Sequence, residues 1–279
     1  MILFIVNPIS GNGRKKRLVS SLKKAGYEVV FTEYAGHGEI LARETAAKTV
    51  VAVGGDGTVN EVARGLVGTD KVLGIIPCGS GDGLARHLGI SHITEWALKV
   101  IKSGKTQPLD AARINGRLFF SVCGAGFDAV VSEKFAKCGK RGVGTYISEG
   151  LKTWNTYRPE TYKITIDGKE YEHEAMFVTV GNSNQWGNEA KITPLADSSD
   201  GILDVTVVDN FHSVEIPWLA GLLMTGTAHK SPHVHTYRGQ HITVTRSLEG
   251  PAHADGDWFL TGNILEIEVI PHALNVLVP

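Results

Sequence analysis

Residues 49–66, TVVAVGGDGTVNEVARGL, constrain the chain more than any other stretch. Val50, Val51, Ala52 and Val53 make a short continuous apolar run, the pattern of a strand buried in a parallel sheet. Gly54, Gly55, Asp56 and Gly57 break that run with residues that can take positive φ and let a ligand approach the backbone. Thr58 then opens a helical pattern, with Asn60 and Glu61 after it and Val59, Val62, Ala63 and Leu66 on the apolar positions. Strand, glycine turn and helix N-terminus together form a phosphate cradle, because unpaired N–H groups and the positive helix end both face the turn. A carboxylate at its centre repels phosphates unless a divalent cation lies between them, or unless it takes a proton from an attacking hydroxyl. The alternative is a plain strand-to-helix turn, since glycine punctuation is common. GGDGTVNEV is nevertheless more specific than GxGxxG, whose spacing it lacks, and no Gly-Lys-Ser/Thr follows to make a P-loop.

The flanking chain repeats the same alternation. Ile2 to Val6 reads as a strand, residues 14–25 as an amphipathic helix, 27–32 as a strand and 38–48 as a helix. After the glycine turn come a strand at 71–76, a short helix through Leu88 and another helix at 92–103. This βαβαβαβ order predicts an open, mostly parallel sheet with helices on both faces. Ligands of such sheets bind beyond the carboxyl ends of the strands. Four loops leave those ends, at residues 7–13, 32–38, 54–60 and 77–83, and three are rich in Gly, Ser, Asn or Asp. Their convergence predicts a site for a phosphorylated ligand.

The 279 residues suffice for one large domain or two moderate ones. A formal net charge of -1 gives no bulk electrostatic case for nucleic acid. No run approaches the roughly 20 apolar residues that span a bilayer. The opening MILFIV has no basic flank and meets Asn7-Pro8 too soon for a signal peptide. Cys78, Cys123 and Cys138 are an odd, unpatterned set, so a reducing cytoplasm is expected.

The second half reads as mostly β. Strands are expected at 108–114 and 118–122 around Asn115-Gly116, and at 162–166 and 171–180 around Asp167-Gly168. Helices are expected from Asp128 through about Phe135 and at 145–154, with a basic, glycine-rich stretch at 139–144 that is either a plain loop or a mobile segment at the cleft mouth. The polar stretch 182–188 could line a cleft. Asp197 and Asp200, three apart in a glycine turn, suit a hard oxygen-preferring cation or an Asx turn ahead of a strand at 202–208. Residues 211–225 form an apolar helix, either core or a surface for acyl chains. His233 and His235 read as same-face strand positions rather than a metal pair. Strands at 241–245, 258–260, 264–270 and 273–278 close the chain, interrupted by Asp255-Gly256-Asp257.

Taken together, GGDGTVNEV, then PCGSG at 77–81 and NPISG at 7–11, resemble the diacylglycerol kinase / sphingosine kinase catalytic-domain family. Gly124-Ala125-Gly126-Phe127-Asp128, Asp200-Gly201-Ile202-Leu203-Asp204 and Asp255-Gly256-Asp257 resemble its later landmarks in order, so the match spans essentially the whole chain. The resemblance implies a nucleotide-binding α/β domain at 1–108 and an antiparallel β-sandwich lipid-substrate domain at 109–279, with the active site in the cleft between them. It implies transfer of the ATP γ-phosphoryl group to the hydroxyl of a diacylglycerol or sphingoid-base lipid at the membrane surface. ATP contacts would come from Asn7, Pro8, Ile9, Ser10, Gly11, Thr32, Gly55, Asp56, Gly57, Thr58, Val59, Asn60, Glu61 and Ser80. A structural Mg²⁺ would be held by Asp197, Asp200 and the carbonyl of Ile202. Asp257 stands where the family carries its proton acceptor, with Asp in place of Glu; Asp56 is the other candidate base. The expected setting is the cytoplasm or its membrane periphery, with a homodimer open to the chain.

Two departures stand out. Ser80-Gly81 resembles the sphingosine and ceramide kinase variant, and Asp82 replaces the usual Asn, adding negative charge near the phosphates. The rival enzyme is an NAD kinase, which shares GGDGT but carries its Asn-Glu pair far downstream, whereas Asn60-Glu61 follows at once in this chain. The rival of another class is a non-catalytic nucleotide- or lipid-binding sensor.

Overall fold

The computed structural model describes residues 1–9, 15–139, 143–187 and 189–279. The chain divides into two compact units, Met1–Ala111 with Pro271–Pro279, and Ala112–Ile270. The first alternates β1 (Ile2–Val6), α1 (Lys15–Lys24), β2 (Glu28–Phe31), α2 (His37–Glu44), β3 (Thr49–Gly54), α3 (Asp56–Leu66), β4 (Val72–Pro77), α4 (Gly83–His87) and α5 (Thr94–Ser103). Its strands are parallel in the order β2-β1-β3-β4, with Val6 opposite both Phe31 and Val53, and Val53 opposite Ile76. The continuous apolar runs explain this: Phe4, Ile5, Val50, Val51 and Ile76 are wholly buried, as strands covered on both faces must be. All four strands therefore end together, and the loops after them gather at one edge.

Two helices are shorter than their periodicity predicts. The apolar spacing runs to residue 48, but α2 stops at Glu44 because the Thr45 hydroxyl accepts the N–H of Ala47 and the backbone turns extended at ψ 143°. Likewise α5 starts at Thr94 instead of residue 92, after Ser91 Oγ has taken the N–H of Ile93.

The chain leaves the first unit along β5 (Thr106–Ile114). The second unit then contains β6 (Arg117–Phe119), β7 (Val122–Gly126), α6 (Phe127–Lys137), α7 (Val143–Trp154), β8 (Glu160–Ile166), β9 (Lys169–Gly181), β10 (Leu203–Asp209), α8 (Ile216–Thr225), β11 (Val234–Gly239), β12 (His241–Thr245), β13 (Gly250–Ala254) and β14 (Asp257–Thr261). The last strand, β15 (Ile264–Leu277), begins there and ends in the first unit, where Asn275 and Val276 pair in parallel with Val72 and Leu73. Strands β6 to β14 pair with their neighbours antiparallel. Strand β9 is its hub: residues 169–175 pair with β8, and 177–181 lie between β7 and β10. Tyr162, Phe119, Val180, Val205 and Val207 lie in the core that these strands enclose.

The strand expected at 118–122 is broken into β6 and β7, and residues 264–277 form one strand where two were expected. The stretch 211–225 splits as well: a short 3₁₀ turn at Ser213–Glu215 precedes α8, whose first turn carries Pro217. Among the described residues no helix is long and apolar enough to cross a membrane.

Candidate active site

The glycine turn after β3 is built differently from its expected form. Helix α3 begins at Asp56, two residues before Thr58, and Gly54, Gly55 and Gly57 all stay outside the left-handed region. Close packing is what requires glycine: a Cβ on Gly54 would lie 2.4 Å from Thr58 Oγ1. A Cβ on Gly79 would lie 2.8 Å from the Cα of Gly55, so the turns after β3 and β4 touch backbone to backbone. The Thr58 N–H already bonds the Gly55 carbonyl at 3.0 Å, whereas the N–H groups of Asp56 and Gly57 have no intrahelical carbonyl to bond and open at this turn.

The carboxylate of Asp56 ties the two turns together. Its Oδ2 accepts the N–H of Asp82 at 2.8 Å and its Oδ1 that of Gly83 at 2.7 Å, the first amides of α4. A carboxylate on a helix N-terminus is favoured by charge as well as geometry. Two of its four lone-pair positions remain for a cation or its waters. Asp82, expected to add negative charge near the phosphates, is buried; both its oxygens accept the Gly79 N–H, and His92 Nδ1 lies 3.3 Å away. That charge is turned inward onto the loop's own backbone.

The other expected nucleotide contacts divide. Asn7 donates to Thr58 Oγ1 at 3.1 Å and accepts the N–H of Ile9, which stabilises the turn after β1. Glu61 grips the turn after β2, accepting the N–H of Gly36 at 2.8 Å and of Gly38 at 3.0 Å. Thr32, Thr58, Val59 and Asn60 are buried, whereas Pro8, Ile9 and Ser80 are exposed at the same edge. Ser10 and Gly11 lie outside the described residues, as do Asn188 and part of the loop at 139–144.

Asp257 belongs to the second unit, exposed at the first position of β14. The hairpin before it turns on Asp255 and Gly256, both at positive φ, 52° and 85°. These two acids have separate tasks. Asp255 accepts the N–H groups of Phe120, Ser121 and Val122 at 2.9, 2.8 and 3.1 Å, and this bracket breaks the expected 118–122 strand. Strand β13, invisible as a run of Gly, Pro, Ala and His, carries His253. Its Nε2 lies 3.0 Å from Asp128 Oδ2, and both side chains are buried. Thr179 Oγ1 donates to the same oxygen and the Ala129 N–H to the other. Beside them burial, then Asp255 and Asp128, pushes the Cys123 thiol well up from its ordinary value.

The acidic turn holds Asp197, Asp200 and Ile202 within the same unit. Asp197 Oδ1 accepts the N–H and hydroxyl of Ser199, and Asp200 Oδ1 accepts the N–H of Ile202. Arg238 bridges Asp200 and Asp204. Burial raises the Asp204 carboxyl, opposed by Arg238. An all-oxygen donor set fits a hard cation in kind, with the Arg238 guanidinium competing for Asp200.

Residues 1–114 match the diacylglycerol kinase catalytic domain, and residues 121–278 match the YegS C-terminal NAD kinase beta sandwich-like domain. The chain belongs to the diacylglycerol kinase catalytic-domain family. The diacylglycerol kinase of Bacillus subtilis (strain 168) is 30% identical over 269 residues, covering 91% of this chain and 88% of the relative. The solved structure of a candidate diacylglycerol kinase from Bacillus anthracis str. Sterne superposes with TM-score 0.81 at 27% identity, covering 100% of this chain and 96% of that one. An NAD kinase from Archaeoglobus fulgidus, solved with ATP, shares the fold alone, at TM-score 0.58 and 14% identity over 99% of this chain and 93% of that one. Membership of this family of lipid kinases makes the chain an enzyme of the kinase class. It also accounts for the antiparallel second unit, which the family match describes as sandwich-like.

Proposed function

We propose that the enzyme transfers the γ-phosphoryl group of ATP to the hydroxyl of a diacylglycerol or sphingoid-base lipid. The observation that carries this is the Asp56 carboxylate on the α4 amides, which holds two glycine turns in contact at the ends of parallel strands. Phosphoryl transfer asks chiefly for positioning and charge neutralisation, and such a double turn supplies both. The amides of Gly55, Asp56 and Gly57 bind phosphate oxygens. The exposed hydroxyl of Ser80 stands at the same edge to bond the nucleotide.

Mg²⁺ neutralises phosphate charge when bound, and the outward lone pairs of Asp56 orient it or its waters; a second, structural ion is assigned to Asp197, Asp200 and the Ile202 carbonyl. Asp257 takes the proton from the lipid hydroxyl at its carboxylate. Its exposure supports this role over Asp56, whose two oxygens already accept amides. Exposed Val214, Trp218 and Met224, on and just before α8, support an acceptor drawn from a membrane surface.

The test is transfer of ³²P from ATP to a panel of diacylglycerols, sphingoid bases and NAD. Label is expected in a long-chain lipid and not in NAD. Asp257→Asn is expected to lower kcat/KM by more than about tenfold, about 1.4 kcal/mol of transition-state stabilisation. Turnover within tenfold of wild type removes Asp257 from the chemistry. ATP binding without transfer to any lipid establishes a sensor instead.

A further inference from the structure

We propose that His173, Asp209 and His235 form a binding site for a divalent transition-metal cation, with Zn²⁺ as the reference ion. The three residues play no part in phosphoryl transfer as assigned above. They stand on neighbouring strands of the second unit: His173 on β9, Asp209 at the end of β10 and His235 on β11. Strand β10 pairs with β9 on one side and β11 on the other, and its register slips between Val208 and Asp209, which sets Asp209 opposite Ala175. One carboxylate therefore meets two imidazoles. His235 Nε2 lies 2.6 Å from Asp209 Oδ2, His173 Nδ1 lies 3.7 Å from Oδ1, and one donor atom from each residue falls within 4.8 Å of the others.

Two observations point to a ligand beyond this clustering. Asp209 Oδ1 is buried without a hydrogen-bond partner, and at 3.7 Å the His173 nitrogen is too distant to serve. A buried carboxylate oxygen left so is costly, and a cation between it and the imidazole removes the cost. Secondly, His173 Nε2 lies 2.8 Å from Tyr237 Oη. With Nε2–H donating to that hydroxyl, Nδ1 keeps its lone pair toward Asp209, the outer hydrogen bond that orients metal-bound histidines. Burial, then the neighbouring His235, holds the His173 imidazole toward its neutral, ligating form.

Two imidazoles and a carboxylate are the wrong donors for Mg²⁺ or Ca²⁺, which prefer oxygen shells, and suit Zn²⁺, Co²⁺ or Ni²⁺. Donors on tetrahedral zinc stand about 3.4 Å apart, so side-chain rotation closes the set without moving the strands. Three protein donors leave one corner for water. The side chains are 13%, 31% and 38% exposed, which lets an ion enter from solvent. The bound ion ties β9, β10 and β11 together.

The test uses the full chain stripped of metal with a chelator. Zn²⁺ is titrated against a chromophoric chelator, Co²⁺ is followed by its visible spectrum, and melting is recorded with and without Zn²⁺. One equivalent per chain is expected, with a rise in Tm that Zn²⁺ still produces when excess Mg²⁺ is already present. His235→Ala and Asp209→Asn are each expected to weaken Zn²⁺ binding at least tenfold, Tyr237→Phe about tenfold, and His233→Ala not at all. His235→Gln replaces His235→Ala if the latter loses its native circular dichroism. Equal Zn²⁺ affinity in wild type and in the His173→Ala/His235→Ala double variant overturns the site. So does a wild-type Co²⁺ spectrum without imidazole ligation, a result independent of any variant.

Discussion

The carboxylate of Asp255 accepts three successive backbone N–H groups, and its own backbone sits at φ 52°. Hydrogen bonds to a charged acceptor are the strong kind, and alanine both deletes them and strains at positive φ. Asp255→Ala is expected to lower unfolding free energy in urea by about 2–4 kcal/mol, and Asp255→Asn by less, since asparagine keeps an acceptor and tolerates the left-handed region. Equal stability of wild type and alanine variant would show that water replaces the bracket. Asp257, two residues on, is exposed and starts a strand; its substitution tests the proposed chemistry, with the urea midpoint recording any effect on folding. Asp56→Asn reads both, because an amide NH₂ set against the Asp82 or Gly83 N–H loosens the double turn.

Among the elements, α2 and α3 pack so closely that Gly65 is their meeting point. A Cβ there would lie 2.4 Å from the Glu39 carbonyl and 2.9 Å from Ala42 Cβ. Helix propensity alone says that Gly65→Ala gains about 1 kcal/mol, whereas overpacking against backbone costs about 1–3 kcal/mol. Since the Glu39 carbonyl belongs to a helix and cannot swing aside, Gly65→Ala is expected to be net destabilising by about 1–2 kcal/mol. A higher urea midpoint for the variant would mean that the helices separate freely. The contact matters for function because Glu61, on α3, grips the N-terminal approach of α2 through Gly36 and Gly38. Loosening the helix pair therefore moves a loop at the edge where the phosphates are proposed to bind.

For the molecule as a whole, buried acids that keep their protons set its response to alkali. Cys123 and Tyr162 are wholly buried, and burial pushes both groups up, aided at Cys123 by Asp255 and at Tyr162 by Glu160. In the unfolded chain they release protons near their ordinary values, about 8.5 and about 10. Above about pH 8.5 the unfolded state thus binds fewer protons than the folded one, and stability falls as pH rises. The expected urea-unfolding profile declines from pH 8.5 and steepens above 10, by up to about 1.4 kcal/mol per pH unit for each group. Cys123→Ala flattens the first part, and Tyr162→Phe makes the second shallower without abolishing it, because burial pushes Tyr157 up as well; a profile unchanged by either would mean that these groups titrate alike in the folded and unfolded chain.

What the residues determined by themselves is what local periodicity can encode. The parallel strands, the glycine turn opening α3, and the hairpins at Asn115-Gly116 and Asp167-Gly168 follow from apolar spacing and turn chemistry within a few residues. Helix ends were less legible, because a single hydroxyl such as that of Thr45 outcompetes an otherwise continuous helical pattern. Only the tertiary structure decided which acid does what. Asp56 meets amides 26 and 27 residues away, Asp255 brackets backbone 133 to 135 residues back, and Asp209 joins imidazoles from two other strands. A carboxylate looks the same in sequence whether it faces solvent, a helix N-terminus or a neighbouring histidine. Its partners are set by strand order and register, and those are settled by burying the whole core at once.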